Sequence, residues 1–358
     1  MLADWLARQA PAVLARADAR VSPAQRRALT AIARCRTGAL GGHVYRCEQC
    51  GERHHGYHSC HHRACPRCGG AGTAAWTRRQ LDRLLPVPYF LVTFTLPDPL
   101  RAAMRQRPEI GLDLLFGASA GALQTVAARP RLLGAQLGFV GVLHTWGRQL
   151  QWHPHIHYIV PGGGLRPDGK KWRRPRTPDY FLPQAALAAE FRGRLEAALR
   201  AAAPDQHAAI PESCWRQPWI VDVQSAGAGA PVVKYLARYV QRTAISDERL
   251  VRADEREVVF TYRDSATGEP RLCTLSADEF LRRYLQHVPP PGQHRVRYFG
   301  WMHPSATARR AVVETLLAVV IVVRATVAAP PWHVRCPHCH AFALVVCGVI
   351  ARTARAPP

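Results

Sequence analysis

The sequence predicts an α+β chain, with a small helical and zinc-binding module followed by a larger domain of mixed strands and helices. Three observations carry this expectation. Two Cys-x-x-Cys pairs, Cys47/Cys50 and Cys65/Cys68, stand fourteen residues apart early in the chain. From Pro86 onward, β-branched and aromatic runs alternate with stretches whose apolar residues recur at helical spacing. Near the middle, Trp152-His153-Pro154-His155-Ile156-His157-Tyr158-Ile159-Val160 alternates like a strand and stops at Pro161-Gly162-Gly163-Gly164.

The 358 residues leave room for two or three domains with full cores. The charge is strongly one-sided, with 48 Lys+Arg against 25 Asp+Glu and a net +23. Arginine supplies nearly all of it, since lysine occurs only at Lys170, Lys171 and Lys234. GC-rich coding would explain the scarcity of lysine but not the excess of positive charge. Arginine's planar fork suits phosphate and stacks on bases, so the partner expected is nucleic acid. Asp4 lies in the opening stretch and no secretory core follows it; the longest apolar run, Leu316 to Val323, falls short of the roughly 20 residues of a membrane span. The expectation is therefore no membrane partner and a cytoplasmic, nucleoid-associated protein, whose cysteines serve as metal ligands or free thiols.

In chain order, two amphipathic packing helices come first, the second announced by Ser22-Pro23 as N-cap and first-turn proline. In the cysteine-rich stretch, Cys47, Cys50, Cys65 and Cys68 together offer the four thiolates of a closed, structural zinc site. Cys35 upstream and Cys60 between the pairs are further candidate zinc ligands. The arginines around them would make the module a DNA reader.

Val87 to Leu96 reads as a buried strand, 109 to 128 as a helix and Phe139 to Trp146 as a second strand. The histidine strand follows closely, so the two should pair as antiparallel neighbours and bring His144 towards His155 and His157. Same-face neighbours stand about 6.6 Å apart, so His155 and His157 can converge on one ion, and Pro154 suits the strand's first residue. Taken alone, the pattern also fits a core strand that carries histidines. Lys170, Lys171, Trp172 and Arg173 form a basic loop with an embedded ring, either simply solvated or suited to single-stranded DNA. After an Ala-rich helix and a strand at Trp219 to Val223, a Gly/Ala-rich stretch from Ser225 to Ala230 reads as a flexible hinge. The helix begun by Pro231 carries Tyr235 and Tyr239 one turn apart among Lys234, Arg238 and Arg242. A hairpin (Val258 to Leu275), a helix capped by Ser276-x-x-Glu279 and a strand at Val296 to Trp301 complete this domain. The tail holds Cys336-Pro337-His338-Cys339, half of a further zinc site that His333, His340 or Cys347 could complete. Three units are expected: 1–85, 86–303 and 304–358.

Together the motifs resemble the two-tyrosine rolling-circle transposases of bacterial insertion sequences, members of the HUH endonuclease superfamily. The residues that carry the resemblance run nearly end to end. They are Cys35-Arg36-Thr37-Gly38, Arg63-x-Cys65-Pro66-x-Cys68, Phe94-Thr95-Leu96-Pro97, Leu143-His144-Thr145-Trp146-Gly147, His155-Ile156-His157, Tyr235-Leu236-Ala237-Arg238-Tyr239, Ala244-Ile245-Ser246 and Arg295-Val296-Arg297-Tyr298-Phe299-Gly300. The resemblance implies an HUH nuclease core, an RRM-like antiparallel sheet flanked by helices. It makes His155 and His157 ligands of a catalytic Mg²⁺ or Mn²⁺, with His144 the first candidate for the third ligand and Gln151 or Gln241 in reserve. It makes Tyr235 and Tyr239 nucleophiles towards single-stranded or hairpin DNA at transposon ends, with structural Zn²⁺ in the N-terminal domain. The family's chemistry leaves a 5′-phosphotyrosine and a free 3′-hydroxyl. The tyrosines follow the histidines, which disfavours a relaxase; a replication initiator and a non-catalytic zinc-dependent DNA-binding protein remain the alternatives.

Overall fold

The computed structural model describes residues 1–16, 21–240, 244–319 and 335–353, with the backbone alone at residues 71, 238 and 239. Helices α1 (Leu2–Ala15) and α2 (Pro23–Arg34) open the chain. The capping of α2 is the one its sequence predicts: the Ser22 hydroxyl accepts from the Gln25 N–H, and the Gln25 side chain accepts from the Ser22 N–H. Both helices bury their apolar stripes, Leu2, Trp5 and Leu6 on α1 and Leu29 and Ile32 on α2, in one core with Phe260, Phe280 and Tyr284. The hairpin β1 (Gly42–Cys47) and β2 (Arg53–Tyr57) follows, then α3 (Gly69–Leu81).

The chain continues with β3 (Tyr89–Thr95), α4 (Asp98–Gln106), α5 (Pro108–Ala128), β4 (Gly138–Trp146) and β5 (Trp152–Pro161). A small ribbon, β6 (Gly164–Leu165) with β7 (Trp172–Arg173), leads to α6 (Gln184–Ala202), α7 (Pro204–Ala208) and α8 (Glu212–Arg216). Next come β8 (Val221–Ser225), α9 (Ala230–Val240), and the meander β9 (Leu250–Ala253), β10 (Glu257–Arg263) and β11 (Pro270–Ser276). The chain continues through α10 (Ala277–Leu285), β12 (Val296–Gly300), α11 (Thr307–Leu316) and β13 (Leu344–Ile350).

One five-stranded sheet, in the order β12-β4-β5-β3-β8, organises the middle of the chain, and every neighbouring pair in it is antiparallel. The histidine strand β5 is central, and its alternation sorts its side chains cleanly between the two faces. Ile156, Tyr158 and Val160 join Phe94, Phe139 and Leu143 beneath α5 and α6. On the opposite face Ile159, Val140 and Val142 pack against Val232, Val233 and Leu236 of α9 and Trp76 of α3. His155 and His157 lie on this second face, beyond the reach of the apolar cover. By length and composition α5 could cross a membrane, yet Leu115, Phe116, Leu123 and Val126 bury it as the core helix of the sheet.

Several expectations are corrected. Pro154 is the third residue of β5, not its first. A central strand tolerates it because β4 and β5 shift register there: His144 faces His155, but Trp146 faces Trp152, so two residues of β5 bulge opposite Thr145. The Gly/Ala-rich stretch before α9 is tied rather than free, since Tyr89 N–H donates to Gly227 and Ala226 N–H donates back to Tyr89. Gly229 then passes so close to Tyr89 that a Cβ there would stand 2.6 Å from its ring, at a φ of +82° that suits glycine. Trp172 is no free stacking ring, because it packs edge-on against Trp301 at 5.7 Å and is half-buried. Pro330-Pro331, His333, Gln241 and Arg242 lie outside the described residues.

Candidate active site

Strand register assembles three imidazoles. β4 places His144 opposite His155, and β3 places Thr93 opposite His157, so the three rings share one face at the end of the sheet. Ring centroids stand 5.0 Å (His144–His155), 4.3 Å (His144–His157) and 4.9 Å (His155–His157) apart. One nitrogen from each lies within 4.8 Å of the others.

Neighbours orient these rings. His155 Nδ1 is 2.7 Å from the His153 carbonyl, which can only accept, so Nδ1 carries the proton and Nε2 keeps its lone pair. His157 Nδ1 meets the Thr93 hydroxyl at 2.9 Å. His144 stacks parallel on Trp146 at 5.8 Å. Burial holds His155 down to about 3, aided by the His157 charge, and holds His157 down to about 4. His144 is driven well below the ordinary imidazole value by burial and by its two histidine neighbours. Three neutral imidazoles are the ligating form, so the donor set fits a divalent ion without competition from protons at neutral pH. The His153 ring stands outside the convergent set, and its carbonyl is what sets the His155 tautomer.

The β4–β5 connection is clamped by α10 and the two residues that follow it. Leu150, fully buried and at a φ of +63°, offers its carbonyl to Gln286 at 2.7 Å and to His287 Nε2 at 3.0 Å. The Arg283 guanidinium donates to the Gln149 carbonyl at 2.9 Å. Gln151 lines the resulting cleft, its Oε1 accepting from Gln149 N–H at 3.0 Å.

A cleft of about 730 Å³ opens over the histidines, and Tyr235 forms part of its wall. Helix α9 is anchored by Val232, Val233 and Leu236, which leaves Tyr235 42% exposed with its ring 6.5 Å from that of His157. Tyr239 follows one turn later on the same helix, and Lys234 is exposed. Sequence reasoning missed a further wall of the lining, where Arg148 comes from the β4–β5 connection, Arg249 from just before the meander, and Tyr262 and Asp264 from its β10–β11 end. Arg249 donates to the carbonyls of Thr261 (2.8 Å) and Arg148 (2.6 Å), and the Arg148 guanidinium donates to the Arg263 carbonyl at 2.8 Å, so two cations are held beside the cleft. The only sequence signal for this wall is Ala244-Ile245-Ser246, which also lines it.

The thiols gather into two groups, and not in the combination the spacing predicts. Cys35, Cys60, Cys65 and Cys68 converge, and so do Cys47, Cys50, Cys336 and Cys339. A single Cys47/Cys50/Cys65/Cys68 site is thereby corrected. The β1–β2 hairpin pairs from Gly42↔Tyr57 to Arg46↔Arg53, and its length separates its turn from its open end by about 14 Å. Cys47 and Cys50 sit at the turn, while Cys60, Cys65 and Cys68 follow the open end. In the first group Cys68 Sγ stands 3.5 Å from Cys35 Sγ and 3.6 Å from Cys60 Sγ. Four sulfurs around a tetrahedral zinc with bonds of about 2.3 Å stand about 3.8 Å apart, so the group fits that ion. Cys347 is exposed on β13 and outside both groups, and so is His340.

Residues 5–96 match the family described as "Transposase zinc-binding domain", and residues 138–310 match that described as "Putative transposase". "Putative transposase y4qJ" of Sinorhizobium fredii is 42% identical over 300 residues, 79% of this chain and 75% of that protein. The transposase for insertion sequence element IS801 of Pseudomonas savastanoi pv. phaseolicola is 33% identical over 298 residues, 76% of this chain and 69% of that one. The chain belongs to the IS91/IS801-type insertion-sequence transposases. No solved structure matches it.

Within the transposase, the first thiol group lies wholly inside the zinc-binding match, whereas the second draws two members from beyond it. The three histidines and Tyr235 all fall within the transposase match. Lys170, Lys171 and Arg173 are exposed on and beside the β6–β7 ribbon, apart from the cleft lining. Of the other basic residues expected to hold DNA, Arg238 is described by its backbone alone.

Proposed function

We propose that this transposase cuts and rejoins single-stranded DNA at the ends of its insertion sequence through a tyrosine-linked intermediate, on an HUH core. The observation that carries the reading is the shared cleft: three neutral imidazoles and an exposed tyrosine face the same space. An antiparallel sheet bearing His155 and His157 on its central strand, with the tyrosine helix across the same face, supports the HUH assignment.

His144, His155 and His157 would hold the divalent ion, which supplies Lewis-acid polarisation of the scissile phosphate. An all-nitrogen protein set favours Mn²⁺ over Mg²⁺. The phenol oxygen of Tyr235 or Tyr239 bonds to phosphorus as the bond to the 3′ oxygen breaks, and the phenol proton ends on that oxygen. The products are a 5′-phosphotyrosine and a free 3′-hydroxyl. Because one phosphodiester replaces another, a 3′-hydroxyl attacking the phosphotyrosine reverses the step without ATP. A free phenol ionises only near pH 10, so the cationic wall of Arg148 and Arg249 matters both for phosphate binding and for phenolate formation. Lys234, Lys170, Lys171 and Arg173 would hold the flanking backbone, and a second tyrosine would let one site retain two strands. The work is done in the cytoplasm on nucleoid DNA.

The test is covalent capture. The purified protein, given Mn²⁺ and a hairpin-bearing single strand from the element's end, should form an adduct that survives denaturing electrophoresis. Adduct formation should disappear in the double variant Tyr235→Phe, Tyr239→Phe. Undiminished adduct in that variant would show that the nucleophile lies elsewhere, and tight binding with no adduct under any divalent ion would mark a DNA-binding protein instead.

A further inference from the structure

The second thiol group joins the two ends of the chain. Cys47 and Cys50 sit at the turn of the β1–β2 hairpin, and Cys336 lies 286 residues beyond Cys50. Cys47 Sγ stands 3.6 Å from Cys339 Sγ, and Cys50 Sγ stands 3.7 Å from Cys336 Sγ. These separations far exceed the roughly 2.05 Å of a disulfide and match the edge of a tetrahedral thiolate site, about 3.8 Å for bonds of about 2.3 Å.

The backbone repeats itself around the two halves. Gly51 N–H donates to the Cys47 carbonyl at 2.9 Å, and His340 N–H donates to the Cys336 carbonyl at 2.8 Å. One residue further on, the Glu52 carbonyl accepts from Cys47 N–H and the Ala341 carbonyl accepts from Cys336 N–H. Gly51 (φ +78°) and His340 (φ +61°) occupy the same left-handed position in their turns. For histidine that conformation is uncommon, and here it serves to aim two thiols at one point. These are two copies of one metal knuckle facing each other. His54 Nε2, 3.2 Å from Cys336 Sγ, is placed to donate to a thiolate. From the knuckle, β13 runs antiparallel along the whole of β1, from Cys47↔Leu344 to Gly42↔Ile350.

We propose that Cys47, Cys50, Cys336 and Cys339 bind a second Zn²⁺ that clasps the C-terminal segment onto the N-terminal hairpin. The N-terminal sheet is then completed only by the end of the chain. A protein ending after α11 would keep half a metal site and leave one edge of β1 open. The clasp is independent of the strand-transfer chemistry and stands or falls by metal content.

The test is native mass spectrometry of the full-length, reduced protein. Wild type should carry two tightly held zinc ions. Cys336→Ser with Cys339→Ser, and separately Cys47→Ser with Cys50→Ser, should each carry one, while Cys347→Ser keeps both. A measurement on wild type guards against a variant that fails to fold: hydrogen exchange during graded chelation. Amides of 42–47 and 344–350 should lose protection together, in the step that removes one zinc. A wild type with a single zinc, a Cys336/Cys339 variant that retains two, or strand 344–350 opening with no metal lost would each overturn the clasp.

Discussion

Replacing Thr93 by valine is near-isosteric and removes the hydroxyl that meets His157 Nδ1 at 2.9 Å. His157 is buried, so the freed nitrogen gains no water in exchange. Partners of this kind fix the orientation and tautomer of a metal-bound imidazole, and losing one typically costs about ten- to a hundredfold in metal affinity, or about 1.4–2.8 kcal/mol. The expectation for Thr93→Val is therefore a Mn²⁺ dissociation constant raised by about that factor, measured by calorimetric titration of the metal-free protein. In the strand-cutting assay, the concentration of Mn²⁺ needed for half-maximal adduct should rise in step, with the plateau recovered at high metal. His153→Ala is the matched control, since it deletes a ring but keeps the carbonyl that holds His155. It should change Mn²⁺ affinity by less than about threefold, because the metal-facing contacts stay in place. Equal Mn²⁺ affinity in Thr93→Val and wild type, or a larger loss in His153→Ala, would refute the orientation argument.

Acidification should weaken the fold. His155 and His287 are held by burial at about 3 and His157 at about 4, whereas in the unfolded chain each titrates near 6.5. Below that value the unfolded state binds more protons, so stability is lost as pH falls from about 6.5 towards 4, on the order of 2 kcal/mol per group between pH 7 and 5. Urea midpoints of metal-free protein at the two pH values measure it, and an unchanged midpoint would contradict the neutral burial of these rings. Gly229→Ala puts a methyl against the Tyr89 ring at a left-handed backbone position, and should destabilise by about 1–3 kcal/mol. It should also reduce adduct formation by displacing the start of α9; a thermal midpoint within 1 °C of wild type would remove the close approach from the account.

What the sequence shows by itself is local. The period of β5, the β-branched runs of β3 and β4, the Ser22 and Ser276 caps and the tyrosine spacing on α9 are set by residues within a few positions of each other. Each of these follows from backbone geometry and side-chain type alone. The metal donors could likewise be nominated individually, because thiols in Cys-x-x-Cys turns and alternating imidazoles are few and chemically distinctive. His144 was within reach because a short connection makes antiparallel neighbours of β4 and β5. The cationic wall of Arg148 and Arg249 was not, since its members are ordinary arginines until the meander folds over the cleft.

Sequence by itself thus determined the α+β class, the histidine strand, the tyrosine helix and the cysteines from which the thiol groups are built. Tertiary structure alone decided which cysteines converge and which residues face the cleft. The reason is reach. Four thiols meet through whatever brings their turns together, and here that is the length of one hairpin, which separates its own two pairs. The docking of β13 then carries Cys336 and Cys339 from the far end of the chain to Cys47 and Cys50.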